Sequence, residues 1–144
     1  MDSTKYQIRE LDKLEEMLEQ YELVCQLHSW IKKDQYLQML KEMIPHNYRQ
    51  VGVFEGDKCL GLSGYWINTK FYSGKYLEPD NVIVDTQSRS KGVGKMLIDF
   101  LVEKAKAEGC KTVLLDAYVE NKDGHRFYFR EGFSIRGFHF LKKI

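Results

Sequence analysis

Between Asn81 and Leu97 the chain reads NVIVDTQSRSKGVGKML, and these residue types suit the capture of an anion. Val82, Ile83 and Val84 form a continuous apolar run of the kind that makes a strand buried on both faces. A polar stretch from Asp85 to Lys91, including Ser90, leads into Gly92, Val93, Gly94 and Lys95. From Val93 onward Leu97, Leu101 and Ala105 recur every fourth residue, with Met96 and Phe100 alongside, which predicts a helix. The first N–H groups of a helix have no carbonyl partner within it, and glycines there leave them unshielded by Cβ atoms. The helix dipole adds positive potential at the same place, and Arg89, Lys91 and Lys95 add charge. This is a phosphate cradle in outline. The glycines taken alone fit a glycine-rich turn with solvated basic residues equally well.

The elements that must position this loop follow from periodicity. Tyr6 to Leu11 predicts a short first strand, and Asp12 is an acceptable cap for one helix running through Leu14, Met17, Leu18, Tyr21 and Val24 toward Leu27. His28 follows and reads as a packed or surface histidine, with no partner at ligand spacing. A second helix is expected over Asp34 to Met43, stopped by Pro45. Tyr48 to Glu55, Cys59 to Phe71 and Tyr76 to Asp85 predict three strands joined by turns at Gly56-Asp57 and Ser73-Gly74-Lys75. Pro79 inside the third of these predicts an irregular start or a bulge, because proline cannot donate to a ladder. The helix after Gly92 should end near Gly109, with Lys104 and Lys106 at its negative end. Lys111 to Tyr118 then reads as a strand, so Asn81 to Tyr118 is strand, helix, strand, and implies parallel strands with a right-handed crossover. A short helix near Gly124 to Arg130 and a strand from Phe133 to Leu141 close the chain.

Composition bounds the possibilities. At 144 residues the chain suits one domain, residues 1–144, able to bury roughly 70% of the surface its unfolded form exposes. Lysine plus arginine number 22 and aspartate plus glutamate 21, so no global field draws nucleic acid or a membrane. No apolar run reaches the ~20 residues of a membrane span, and MDSTKYQIRE lacks the apolar core of a signal peptide. Cys25, Cys59 and Cys110 are scattered and show no metal spacing, as expected of reduced thiols in a cytoplasmic protein without a metal.

Three features combine further along. Arg89-x-x-Gly92-x-Gly94 lies between a buried strand and a helix, Asn121 follows the next strand, and Tyr128 and Gly132-Phe133 complete the string NKDGHRFYFREGF. Together they resemble the GNAT superfamily of acyl-CoA-dependent N-acyltransferases, in detail from about Tyr76 to Ile144 and only in element order before that. The resemblance implies a mixed, mostly antiparallel α/β sheet of about six to seven strands flanked by about four helices, with a splayed central parallel pair. It also implies acetyl-CoA as co-substrate, gripped through its diphosphate by Arg89, Ser90, Lys91, Gly92, Val93, Gly94 and Lys95. Gly124 departs from the small residue such as alanine common at that position, and Thr86 from a common proline.

If that geometry holds, the pantetheine arm lies between the diverging strands and a backbone N–H near Ile83 or Val84 meets the thioester oxygen. Asn121 is expected to bond the same arm, although an asparagine after a strand also serves as a helix cap. Tyr128 is the expected general acid, since a phenol of pKa about 10 is protonated at neutral pH and can protonate the leaving sulfur. An alkylamine acceptor, of pKa about 10.4, must lose a proton, and Asp80, Asp116 and Glu78 are the candidates to accept it. The expected reaction is direct acetyl transfer in a ternary complex to a small-molecule or peptide amine, by a monomer or homodimer. Two other classes compete. A dinucleotide-binding oxidoreductase would use Gly92-x-Gly94 and Asp116, but Leu97 stands at its third glycine position and one crossover unit is too few. A non-catalytic acyl-CoA sensor would share the fold without turnover.

Overall fold

The computed structural model describes residues 5–144 and contains five strands and five helices among them. The chain falls into two compact units, one ending at Leu114 and the other covering Leu115–Ile144. The first unit holds one sheet, in the order β1 (Gln7–Leu11), β2 (Tyr48–Glu55), β3 (Lys58–Lys70), β4 (Gly74–Val84) and β5 (Thr112–Val113). The first three pairings are antiparallel and the β4–β5 pairing is parallel, as the strand–helix–strand pattern predicts.

Before the sheet's hairpins come α1 (Leu14–Leu18), α2 (Tyr21–Cys25) and α3 (Lys33–Met43). The expected single helix from Asp12 is instead two, and its N-cap is Lys13. The break has a packing cause. Met17 and Val24 share one helical stripe, but Leu23 would lie about 120° from Met17 on an unbroken helix. An irregular residue at Gln20 resets the phase, and Met17, Leu23 and Val24 all enter the same core. That core, with Leu40, Leu62 and Ile83, fills one face of the sheet. The other face is covered by α4 (Val93–Ala107), whose Val93, Leu97 and Leu101 pack on Val51, Val53 and Leu77. Burying each such leucine is worth about 2 kcal/mol, so α4 is held by its apolar stripe. It ends as predicted, with Gly109 just past the helix and Cys110 N–H bonded back to Ala105 O at 2.9 Å.

Of the expected strand from Lys111 to Tyr118, only Thr112–Val113 pairs with β4 within the first unit, and Pro79 limits that ladder. Lys111 N–H donates to Lys75 O at 2.7 Å and Leu114 N–H to Leu77 O at 3.1 Å, so residues 75 and 77 of β4 carry the parallel rungs. The next rung needs an N–H from residue 79, and proline has none. The ladder stops there, while β4 runs on to Val84 paired with β3 alone.

The second unit contains α5 (Lys122–Arg130) and no strand. The expected strand from Phe133 to Leu141 is absent, and among the described residues the sheet therefore has five strands, not six or seven. Phe133, Ile135, Phe138 and Phe140 suit a strand by type, but a strand exists only through a ladder, and this unit supplies no partner.

Candidate acyl-transfer site

The candidate anion-binding end is built from the connection between β4 and α4. After Val84 the backbone passes through a 3-10 turn at Thr86–Ser88, and Arg89 is extended. Ser90 and Gly92 then both take left-handed conformations, at φ 65° and 79°. Left-handed residues interleaved with others can turn successive N–H groups toward one point, the geometry of an anion nest. Gly92 is also the N-cap, so no side chain covers the helix end, and Met96 N–H makes the first intrahelical bond, to Gly92 O at 3.0 Å. Val93 is buried against Gly61 of β3, where any Cβ would collide with it, and this contact seats the helix start beside Val84, the residue paired with Gly61. Arg89, Lys91 and Gly92 are exposed around the nest. Lys95 reaches along the helix to Asp99 at 3.3 Å, so its charge is shared with a carboxylate. Amides, a positive dipole end and two exposed cations fit a diphosphate.

Alongside the nest, β4 has a bulge. Leu62 pairs with Ile83 and Gly64 with Asp80, so two residues, Asn81 and Val82, lie opposite Ser63 alone. Asn81 takes the strained conformation there, at φ 61°. The bulge moves the irregularity that Pro79 predicts two residues downstream. It also reverses which amides face which neighbour. Before it, residues 75 and 77 face β5; after it, Asp85 N–H points to Leu60 O of β3 at 2.8 Å. Alternation then turns Ile83 N–H toward β3 and Val84 N–H toward the edge that β5 leaves uncovered. Of the two candidate oxyanion donors, Val84 is the one so directed.

Asp85 anchors this junction. Its buried carboxylate accepts from Gln26 Nε2 at 2.8 Å and Ser88 Oγ at 3.3 Å, and Lys58 Nζ lies 3.8 Å away. The Gln26 amide above all, opposed by desolvation and helped by Lys58, Ser88 and the Gln87 N–H, holds its carboxyl below the usual range. A carboxyl so lowered stabilises the fold above its unfolded pKa, about 3.9, and loses that contribution as pH falls through the lower folded value. The melting-temperature gap between wild type and Asp85→Asn should therefore be widest near neutral pH and shrink below about pH 4. A gap constant from pH 7 to pH 2.5 would contradict this assignment.

Asp80 lies on β4 just ahead of the bulge and accepts from Trp66 Nε1 at 2.9 Å. Glu78 pairs with Trp66 across the ladder. Sequence reasoning gave no role to Gln26 or Asn81 and read His28 as packing, yet all three bond around the bulge and the loop, His28 to Asn81 at 2.6 Å. Only the turn-type residues Pro79-Asp80-Asn81 inside a strand pattern signalled any of this.

The second unit carries the remaining candidates. Asn121 caps α5, its Oδ1 accepting from Gly124 N–H at 3.0 Å. A Cβ on Gly124 would stand 2.5 Å from Asn121 Nδ2, so glycine there gives the cap room. At the other end Phe133 N–H bonds Tyr128 O at 3.0 Å and Gly132 N–H bonds Phe129 O at 3.1 Å, with Gly132 left-handed at φ 93°. The Phe133 ring meets the Tyr128 ring edge-on, centroids 5.8 Å apart, and Phe127 flanks it at 5.3 Å. Gly132-Phe133 thus works as a helix stop that clamps Tyr128. Burial among these rings pushes the Tyr128 phenol above its ordinary pKa, which keeps it protonated. Asp116 is exposed, outside β5, and lies 3.2 Å from His139 Nδ1. His125 Nε2 donates to Tyr118 O at 2.8 Å.

Burial pushes the Cys59 thiol up to about 11 and that of Cys110 upward as well, the opposite of what a nucleophilic cysteine needs. Among the described residues no group of three or more His, Cys, Asp or Glu could hold a metal, and no helix is long and apolar enough to cross a membrane. The fold and the nest together define a class, and residues 11–133 match the model of the acetyltransferase (GNAT) family, to which this chain belongs. Over 139 residues it is 29% identical to the uncharacterized N-acetyltransferase YhdJ of Bacillus subtilis, covering 95% of this chain and 98% of that protein. A glucosamine 6-phosphate N-acetyltransferase of Arabidopsis thaliana is 38% identical over 87 residues, 59% of this chain and 56% of the relative. Among solved structures, the aminoglycoside N-acetyltransferase AAC(6')-Iy in complex with CoA superposes with a TM-score of 0.83, at 20% identity over 96% of this chain and 95% of that one.

Proposed function

We propose that this chain is an N-acetyltransferase that moves an acetyl group from acetyl-CoA directly to the amine of a small molecule. The observation that carries the proposal is the junction of β4 and α4, where a glycine-opened nest adjoins a strand-edge amide. The amides of Arg89 to Lys95 would hold the diphosphate, with Arg89 and Lys91 adding charge-assisted bonds. Val84 N–H would meet the thioester oxygen, and such a donor is worth about 3 kcal/mol to the transition state. Tyr128 would give its proton to the departing sulfur; its half-buried phenol, pushed above its ordinary pKa by desolvation, supports this. Asp80, oriented by the Trp66 indole, would draw the acceptor's proton or hold its cationic form, and Asp116 is the second candidate for that duty. Asn121, besides capping α5, would bond the coenzyme arm. The raised pKa values of Cys59 and Cys110 argue against either thiol as an acyl carrier, which supports direct transfer. A sugar-phosphate amine and aminoglycosides are named for similar proteins, which supports a small-molecule acceptor.

The test is thiol release from acetyl-CoA with a panel of amino sugars, polyamines, aminoglycosides and short peptides. Amine-dependent release above the rate without enzyme is expected for at least one small amine. Tight coenzyme A binding without release for any amine would replace the enzyme with a sensor.

A further inference from the structure

The bulge that turns Val84 outward is held from outside the strand. Asn81 has a left-handed backbone, which asparagine tolerates better than most residues, and its side chain is bonded from another part of the chain. His28, in the turn between α2 and α3, donates from Nε2 to Asn81 Oδ1 at 2.6 Å, across 53 residues of sequence. Two residues earlier Gln26 uses both ends of its amide. Its Nε2 donates to Asp85 Oδ1 at 2.8 Å, and its Oε1 accepts from Thr86 N–H at 3.1 Å. Gln26 and His28 therefore bracket Asn81–Thr86, the segment that carries the outward amide and opens the anion nest.

Building on the acetyltransferase reading above, we propose that the α2–α3 turn is a clamp in which His28 and Gln26 are positioning residues. His28 sets the amide that meets the acyl oxygen, and Gln26 sets the entrance to the diphosphate loop. The chemistry is simple. A bulge residue released from its side-chain bond can relax toward regular extended backbone, and a one-residue change in strand alternation turns Val84 N–H back toward β3. Loss of the Gln26 amide frees Asp85 and Thr86, whose conformation sets where the nest begins. The two residues thus act on different parts of the same ligand. His28 governs the acyl end and Gln26 the phosphate end. Trp30, four residues after Gln26, stands 66% exposed with its ring edge-on to His28 at 6.1 Å. An acceptor touching that indole would bear directly on the clamp.

The experiment compares wild type, His28→Ala, His28→Gln and Gln26→Ala. Amide hydrogen exchange is followed by NMR, and coenzyme A and acetyl-CoA are titrated separately by calorimetry. Loss of one such bond should quicken exchange at Ile83 and Asp85, whose N–H groups face β3, by roughly five- to tenfold in His28→Ala, with β2 and the rest of β3 unchanged. The same variant should lose about as much affinity for acetyl-CoA while keeping that for coenzyme A, which has no acyl oxygen. His28→Gln, which keeps an N–H donor of similar reach, should recover most of both effects. Gln26→Ala should weaken both ligands alike and quicken exchange at Thr86. If His28→Ala matches wild type in exchange and in the ratio of the two affinities, the clamp is wrong while the coenzyme reading stands. If wild type itself binds neither ligand, the coenzyme reading falls first.

Discussion

Gly92→Val should abolish useful binding of coenzyme A, lowering affinity by roughly a hundredfold or more, which is about 2.7 kcal/mol. Gly92 sits at φ 79°, a conformation in which a β-branched side chain is a severe outlier. It is also the N-cap, and the uncovered amides after it form the nest. Valine would either twist the loop out of the alternation that aims those amides or place its methyl groups where the phosphates approach. The fold should survive, because α4 is anchored by Val93, Leu97 and Leu101 rather than by its cap. Calorimetric titration with coenzyme A, beside a melting curve, checks both halves. An affinity within about threefold of wild type would remove the nest from the mechanism.

Tyr128→Phe should lower kcat by roughly ten- to a thousandfold, the range expected when a general acid is lost, and leave coenzyme A affinity nearly intact. The substitution deletes one hydroxyl and keeps the ring contacts with Phe127 and Phe133, so α5 and its helix stop should be unaffected. Since partial burial raises the phenol's pKa above its ordinary value, wild-type activity should show no loss from its ionisation below about pH 10. Steady-state rates with the best amine of the panel, for both proteins, decide the matter. Equal kcat near neutral pH would take the proton transfer away from Tyr128.

The framework of this candidate site is legible in the sequence, because its signals are local. A glycine at a helix start, basic residues beside it and a tyrosine at fixed distance from an asparagine are properties of short stretches, and Arg89 to Lys95 and α5 stand where the spacing puts them. The role of Gly132-Phe133 as a helix stop was equally local, though only the hydrogen bonds and ring contact with Tyr128 reveal it. What escaped was long-range. His28 reaches Asn81 across 53 residues and Gln26 reaches Thr86 across 60, and neither has a periodicity that announces it. The split between α1 and α2 also depends on a distant surface, since only the core decides that Leu23 must join Met17 and Val24. Strand lengths failed for a related reason. Lys111 to Tyr118 has the composition of a strand, but the length of β5 is set by its neighbour's proline.

That proline sets two properties of the protein against each other. Any residue with an N–H at position 79 could make the missing rung and lengthen the parallel ladder, and by ordinary measures the sheet would be the stronger for it. The same rung would occupy an edge of β4 that the proposed function leaves free for the coenzyme arm. On that reading a sheet edge left unfinished at one imino acid is what function asks for, and selection for thermal resistance alone would be expected to close it.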